Sequence, residues 1–118
     1  MTNDMLKELK SIKGQGTEMI SVYIPSSMKI TKGINHLRDE YKKSKNMNVL
    51  SAIDKILQYL KNYKETPSNG LAVFCGNIST NQEKINIELF SIEPPFPLKE
   101  SIYLCDSKFF LEPLADMI

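Results

Sequence analysis

Apolar residues recur at helical spacing in three stretches of the chain. The first, residues 5–12, is followed by two glycines that interrupt a helix. The second, residues 30–41, places apolar residues on one side and charged residues on the other. The third, residues 50–60, has the clearest helical period. The pattern therefore predicts three helices, the last ending near Tyr63, before the proline and Asn-Gly turn at residues 66–70.

Four other segments are typical of β-strands. Residues 19–24 and 71–75 are nearly continuous apolar runs, as expected of buried strands. Residues 85–90 alternate between apolar and polar, which indicates a half-buried strand that forms a hairpin with the strand before it. The three prolines within residues 93–97 lack amide donors and predict an extended connector. A fourth strand follows at residues 101–105.

The predicted order is α-β-α-α-β-β-β, with a possible final helix at residues 111–118. This order is typical of the α+β class, and we predict a small four-stranded mixed sheet covered by helices. With 118 residues, of which 42% are apolar, the chain can bury one core. We therefore expect a single domain over residues 1–118.

Composition and missing motifs narrow the class of protein. No apolar run reaches the length of a membrane span and the N-terminus is polar, so we expect a cytoplasmic monomer without membrane association. The only cysteines, Cys75 and Cys105, lie in predicted strands and are expected to be buried free thiols. With one histidine, His36, and no phosphate-binding glycine loop, we expect no metal and no cofactor.

Charge is unevenly distributed along the chain although the net charge is only +1. Residues 41–66 contain six lysines and two acidic residues, whereas residues 67–118 contain three lysines and seven acidic residues. Several lysines fall within residues 42–48, which we interpret as a basic loop or helical turn, with Asn46 or Asn48 capping the next helix. The segment is consistent with a polyanion-binding face or with ordinary solvated lysines.

A thiol nucleophile is the one catalytic constellation that the residue types allow. Cys105, His36 and Asp106 include the required groups, but adjacent strand residues point to opposite faces of a sheet. Cys105 and Asp106 are therefore not expected to share a site. A small thiol-dependent enzyme using Cys75 or Cys105 stays an alternative, but we expect no enzyme.

Four short motifs resemble one family, in the same order and at compatible spacings. Residues 103–109, YLCDSKF, match the Tyr-x-Cys-x-x-x-Phe motif of the class I peptide chain release factors of eukaryotes and archaea. Residues 14–21, GQGTEMIS, are similar to the family's Gly-x-Gly-Thr-Ser-Met-Ile-Ser. Residues 39–41 and 69–76 resemble its Asp-Glu-Phe and Asn-Gly-Leu-x-x-Tyr-Cys-Gly segments. From about Leu6 onward, the chain resembles the family's N-terminal domain.

The resemblance implies a domain that enters the ribosomal A site and recognises stop codons of messenger RNA. Carried over by position, it implies codon-pocket roles for Thr17, Glu40, Tyr103 and Cys105. Together with neighbouring motif residues, the predicted RNA-binding set is Gly16, Thr17, Glu18, Glu40, Lys43, Ser44, Tyr103, Cys105 and Phe109. Hydroxyl and carboxylate groups can pair with the edges of unstacked bases. For Tyr103, Cys105 and Phe109, packing inside the core is the alternative role.

Two departures from the family pattern concern this predicted set. Glu18 stands where the family has serine, and the family's Asn-Ile-Lys-Ser loop is not present as such. The loop between the two long helices is about seven residues shorter, judged by the flanking matches. Lys43 and Ser44 are its best counterparts, and a lysine there needs only approximate placement to reach a phosphate.

The resemblance also implies partners. These are the mRNA stop codon and ribosomal RNA at the A site, and a class II release factor GTPase bound through domains that this chain lacks. In the family, hydrolysis needs a Gly-Gly-Gln loop in a middle domain, which is absent here. The shortened loop and Glu18 favour one alternative, a divergent ribosome-associated paralogue that acts in ribosome rescue without reading codons.

Overall fold

The structure is a computed structural model that describes residues 2–14 and 16–117, within which three α-helices, four strands and a final 3-10 helix form in chain order. They are α1 (Thr2–Ser11), β1 (Met19–Ile24), α2 (Ile30–Lys43), α3 (Met47–Leu60), β2 (Leu71–Asn77), β3 (Ile87–Ile92), β4 (Ile102–Asp106) and the 3-10 helix (Glu112–Met117). The predicted order of elements and the α+β class are confirmed.

The four strands form one sheet in the order β3-β2-β1-β4. Every neighbouring pair is antiparallel, so the prediction of a mixed sheet was wrong. The reason is that two helices, α2 and α3, connect β1 to β2. The chain crosses the sheet once in α2 and once more in α3. Strand β2 therefore starts beside the end of β1, where Ile24 pairs with Leu71. A single crossover helix would instead have produced a parallel pair.

Each face of the sheet has its own apolar core. One face packs against α2 and α3, whose residues Leu37, Ile53 and Ile56 are buried against alternate residues of β1 and β2. The opposite face packs against α1 and the C-terminal segment through residues such as Leu9 and Leu114. Burial on both faces explains why β1 and β2 are mostly apolar instead of alternating between apolar and polar residues.

Several boundaries differ from the sequence prediction. Helix α2 extends through Lys43, which leaves only residues 44–46 as the loop, and α3 ends at Leu60 instead of near Tyr63. Strand β3 begins at Ile87, and Ile85 lies in the preceding loop with 66% of its surface exposed. Apolar alternation alone could not separate a strand residue from a loop residue next to it. The predicted final helix is a 3-10 helix, and Ile118 lies outside the described residues.

Candidate nucleic-acid interface

Three segments that are distant in sequence meet at one end of the sheet. They are the turn before β1 (residues 16–18), the α2–α3 loop with the end of α2 (residues 40–48), and β4. The register of β4 against β1 pairs Met19 with Asp106 and Ile20 with Cys105. This register places the end of β4 beside the start of β1. We call the surface formed by these three segments the α2–β4 end of the sheet.

A thiol hydrogen bond joins two of these segments. The Cys105 Sγ donates to the backbone carbonyl oxygen of Thr17 across 3.0 Å. Cys105 is exposed, so the prediction that both thiols are buried was wrong for Cys105 and right for Cys75. Strand β4 lies at the edge of the sheet, where it has a neighbour on one side only. Partial burial, and then the negative charges of Asp106 and Glu18, raise the pKa of the Cys105 thiol.

Glu18 joins the turn before β1 to the α2–α3 loop. Its Oε2 accepts a hydrogen bond from Asn46 Nδ2 at 2.9 Å, and its Oε1 accepts one from Asn48 Nδ2 at 3.0 Å. Both oxygens of the carboxylate are therefore engaged by side-chain amides of one short segment. Hydrogen bonds to an ionised acceptor are stronger than those between neutral groups.

Asn46 also begins helix α3. Its Oδ1 accepts from the backbone amides of Asn48 at 2.8 Å and Val49 at 3.1 Å, which is the hydrogen-bond pattern of an N-cap. The sequence left Asn46 and Asn48 as the two candidates for this cap, and the structure identifies Asn46. The Ser44 Oγ accepts from the Asn46 backbone amide at 3.2 Å, so the serine of this loop is tied to the capping residue.

The basic residues of the loop face solvent. Lys42, Lys43 and Lys45 are exposed. The Lys43 Nζ lies 3.6 Å from the Glu40 Oε2, one helical turn earlier, and 70% of the Lys43 side chain is accessible. An exposed ion pair of this kind contributes little to stability, roughly 0–1 kcal/mol. The ion pair therefore holds the Lys43 side chain only weakly.

A cavity of about 290 Å³ lies between α2 and β4. Glu40 and Tyr103, two predicted site residues, line it together with His36. Burial is the main cause that raises the pKa of the Tyr103 hydroxyl, followed by the charges of Cys105 and Glu40. Tyr103 therefore stays protonated at neutral pH and can donate a hydrogen bond. His36 was expected on the surface and is exposed, and its position on this cavity was not predicted.

The structure brings eight of the nine predicted residues to the α2–β4 end of the sheet, and Phe109 is the exception. It is 5% exposed and belongs to the core on the α1 face, where its ring packs against Phe74 and Phe90. It therefore has the core-packing role, which was the alternative predicted for it from sequence. Gly16 lies in the turn before β1, exposed, with open space where a Cβ would be.

The roles of Asn48 and His36 were not predicted from the sequence. The sequence predicted Asn48 only as a possible helix cap. Its hydrogen bond to Glu18 could not be predicted, because Glu18 lies 30 residues earlier in the chain.

Within the described residues, no group of three or more histidine, cysteine, aspartate or glutamate side chains is arranged to hold a metal ion. In the same part of the chain, no helix has the length and apolar character needed to cross a membrane.

Comparison with known proteins matches this architecture to one family. The family described as eRF1 domain 1 matches residues 2–118. The chain belongs to this family. Proteins named peptide chain release factor subunit 1 are similar: that of Pyrococcus abyssi is 44% identical over 96% of this chain, and that of Methanocaldococcus jannaschii is 46% identical over 97%.

A solved structure of this class has the same fold. The crystal structure of the archaeal translation termination factor aRF1 superposes with a TM-score of 0.83 at 30% identity, covering 98% of this chain and 33% of that chain. The curated relatives are also longer, because the match covers 29% of their length. The resemblance seen in the four sequence motifs is therefore confirmed at the level of the domain.

Proposed function

We propose that this domain recognises stop codons of messenger RNA in the ribosomal A site, as the decoding domain of a class I release factor. The chain itself catalyses no reaction in this proposal. In this proposal, peptide release and binding of a class II release factor GTPase are functions of domains other than this one. Ribosomal RNA around the A site is the second RNA partner.

One observation carries the proposal. Thr17, Glu40, Tyr103 and Cys105 come from three separate segments, and all lie at the α2–β4 end of the sheet, next to a loop with exposed lysines. A surface that combines a hydroxyl, a carboxylate and an aromatic ring suits the edges and faces of unstacked bases. Lysines beside it suit the phosphates that connect those bases.

The individual groups have complementary chemistry. The Glu40 carboxylate accepts hydrogen bonds from exocyclic amines, and the protonated Tyr103 hydroxyl can donate to a base carbonyl. The cavity that these two residues share gives an inserted base edge partial shelter from water. Cys105 supports the surface through its bond to Thr17, and Lys43 supplies charge at the rim.

The proposal is tested by grafting the domain onto the middle and C-terminal domains of a competent release factor. Peptide release is then measured on ribosomes programmed with UAA, UAG, UGA or a sense codon. We expect release at one or more stop codons and not at the sense codon. Glu40→Ala should lower that release, whereas Asp39→Ala, which removes an exposed carboxylate from the adjacent position of α2, should not.

The second candidate is a ribosome-rescue paralogue that occupies the A site without reading codons. The three-residue α2–α3 loop and the engagement of Glu18 by two amides favour it, because both reduce the groups available to a codon. The same grafting experiment separates the candidates. Equal release on stop and sense codons supports rescue and rejects codon reading.

A further inference from the structure

The Glu18 carboxylate accepts hydrogen bonds from two residues at the junction of the α2–α3 loop and α3. Its partners, Asn46 and Asn48, flank the first residue of α3. Asn46 uses its other side-chain atom to cap that helix. The carboxylate, the two amides and the helix start therefore form one connected network, which we call the Glu18 clamp.

We propose that Glu18 is a positioning residue that holds the short α2–α3 loop against the turn before β1 and thereby sets codon discrimination without contacting a base. This inference rests on the proposed function. It gives a role to the carboxylate of Glu18, which stands where the family pattern has serine. It also assigns to Glu18 the task of holding the short loop within the proposed RNA-reading surface.

The clamp geometry argues against a direct role of Glu18 in base contact. Each carboxylate oxygen already accepts one amide hydrogen, at 2.9 Å and 3.0 Å. Turning the carboxylate toward a base would leave two amide groups without these partners, and would free the Asn46 side chain that caps α3. The two hydrogen bonds therefore favour a carboxylate that stays turned toward the loop.

The clamp also links the loop to the rest of the surface. Thr17, the neighbour of Glu18, is tied to β4 by the Cys105 thiol. On the other side, the Ser44 Oγ accepts from the Asn46 amide and so connects the clamp to the end of α2, which carries Lys43. Loss of Glu18 should therefore shift the loop and its lysines relative to Thr17, while leaving the two apolar cores in place.

The first test measures the loop directly in the 118-residue chain. Hydrogen exchange of the Asn48 and Val49 backbone amides reports on the Asn46 cap. Glu18→Ala should speed their exchange by at least about tenfold, since it removes two charge-assisted hydrogen bonds. The matched control Glu83→Ala removes the same charge from the distant β2–β3 loop and should leave both rates unchanged. Unchanged exchange in Glu18→Ala would overturn the clamp.

Two combined substitutions, Glu18→Gln and Asn46→Asp, exchange the donor and the acceptor of the hydrogen bond between these residues, and we call them the polarity-reversed pair. The pair distinguishes the effect of the hydrogen bonds from the effect of the Glu18 charge. Asn46→Asp keeps an oxygen that caps α3 but places a second carboxylate against Glu18, so exchange should accelerate. Combining it with Glu18→Gln lets the new amide at position 18 donate to the new carboxylate at position 46 and still accept from Asn48. The double variant should return the exchange rate to within about threefold of the original rate. Expressed as free energy, this remaining difference is less than half of the difference that a tenfold change in rate represents. No recovery in the pair would count against the proposal.

The second test measures codon discrimination in the grafted release factor. The ratio of release at UAA to release at CAA, which differs only in the first base, should fall at least about tenfold in Glu18→Ala, or about 1.4 kcal/mol. The polarity-reversed pair should restore it. An equal loss at both codons indicates a merely structural role and rejects positioning. If the unaltered graft shows no codon dependence, the proposed function fails, whereas the exchange test still decides whether the clamp exists.

Discussion

The Cys105 thiol donates a hydrogen bond to the Thr17 carbonyl oxygen across 3.0 Å, and it thereby ties the end of β4 to the turn before β1. The two residues lie 88 positions apart in sequence. Thr17 is exposed, and the buried part of β1 begins only at Met19. The thiol therefore contributes to the shape of the surface through a single polar contact.

This contact predicts opposite outcomes for two substitutions of Cys105. Cys105→Ser keeps a donor at nearly the same position and should retain codon-dependent release in the grafted factor. Cys105→Ala removes the donor, and it should lower release by several-fold because a neutral hydrogen bond is worth about 1 kcal/mol. Both variants should melt close to the original temperature, since Cys105 is exposed. Equal activity of the two variants would show that the hydrogen bond does not matter.

Gly14 and Gly16 should respond differently to alanine. A Cβ at Gly14 would lie 2.7 Å from Met19 Cγ and 2.8 Å from the Ser107 carbonyl oxygen, so Gly14→Ala should destabilise the domain by roughly 1–3 kcal/mol. A Cβ at Gly16 would meet no atom within 4 Å, and Gly16→Ala should leave the free energy of unfolding nearly unchanged.

Chemical denaturation measures the stability of both glycine variants, and release by the grafted factor measures their function. If Gly16 contacts RNA as predicted, Gly16→Ala should fold normally and release poorly. Normal release by a stable Gly16→Ala variant would remove Gly16 from the predicted interface.

The loop lysines predict salt-dependent binding. Lys43→Ala and Lys45→Ala should each weaken binding of the grafted factor to ribosomes. Each should also reduce the slope of log affinity against log salt by about 0.7–0.9 for every phosphate that the lysine neutralises. Lys84→Ala is the matched control, since Lys84 is an exposed lysine in the distant β2–β3 loop. Identical slopes for all three variants would indicate that the basic loop does not bind phosphates.

Cys75 predicts a loss of stability at alkaline pH. Burial raises its pKa from the ordinary 9.0 to about 12, so the folded state holds the thiol proton at pH values where the unfolded chain loses it. The thiol's contribution is therefore complete below pH 9 and decreases as pH rises toward 12. Denaturation between those pH values should show a shallower decline for Cys75→Ala. An unchanged slope would contradict this assignment.

The raised thiol pKa values also bear on the thiol-enzyme alternative. Catalytic cysteines have lowered pKa values, because the thiolate is the nucleophile. In this domain the pKa of Cys75 and that of Cys105 are both raised. Raised pKa values keep both thiols in the protonated, less nucleophilic form at neutral pH.

Local pattern was sufficient for most elements of the fold. The apolar run at Met19–Ile24 coincides with β1, and the helical periods located α2 and α3 to within a few residues. These signals are local because a helix or a buried strand repeats its apolar positions within a few residues. The ordered motifs likewise identified the domain family before any tertiary contact was known.

Tertiary structure decided the direction of the strands and the contacts of the site. The direction of the strands follows from the packing of α2 against α3, and the exposure of Cys105 follows from the place of β4 at the edge of the sheet. The apolar pattern of a strand encodes neither its direction nor its place in the sheet. The partners of Glu18 lie 28 and 30 residues away. Side-chain hydrogen bonds over such separations depend on how whole elements pack, so sequence determined which residues carry the chemistry and packing determined which of them meet.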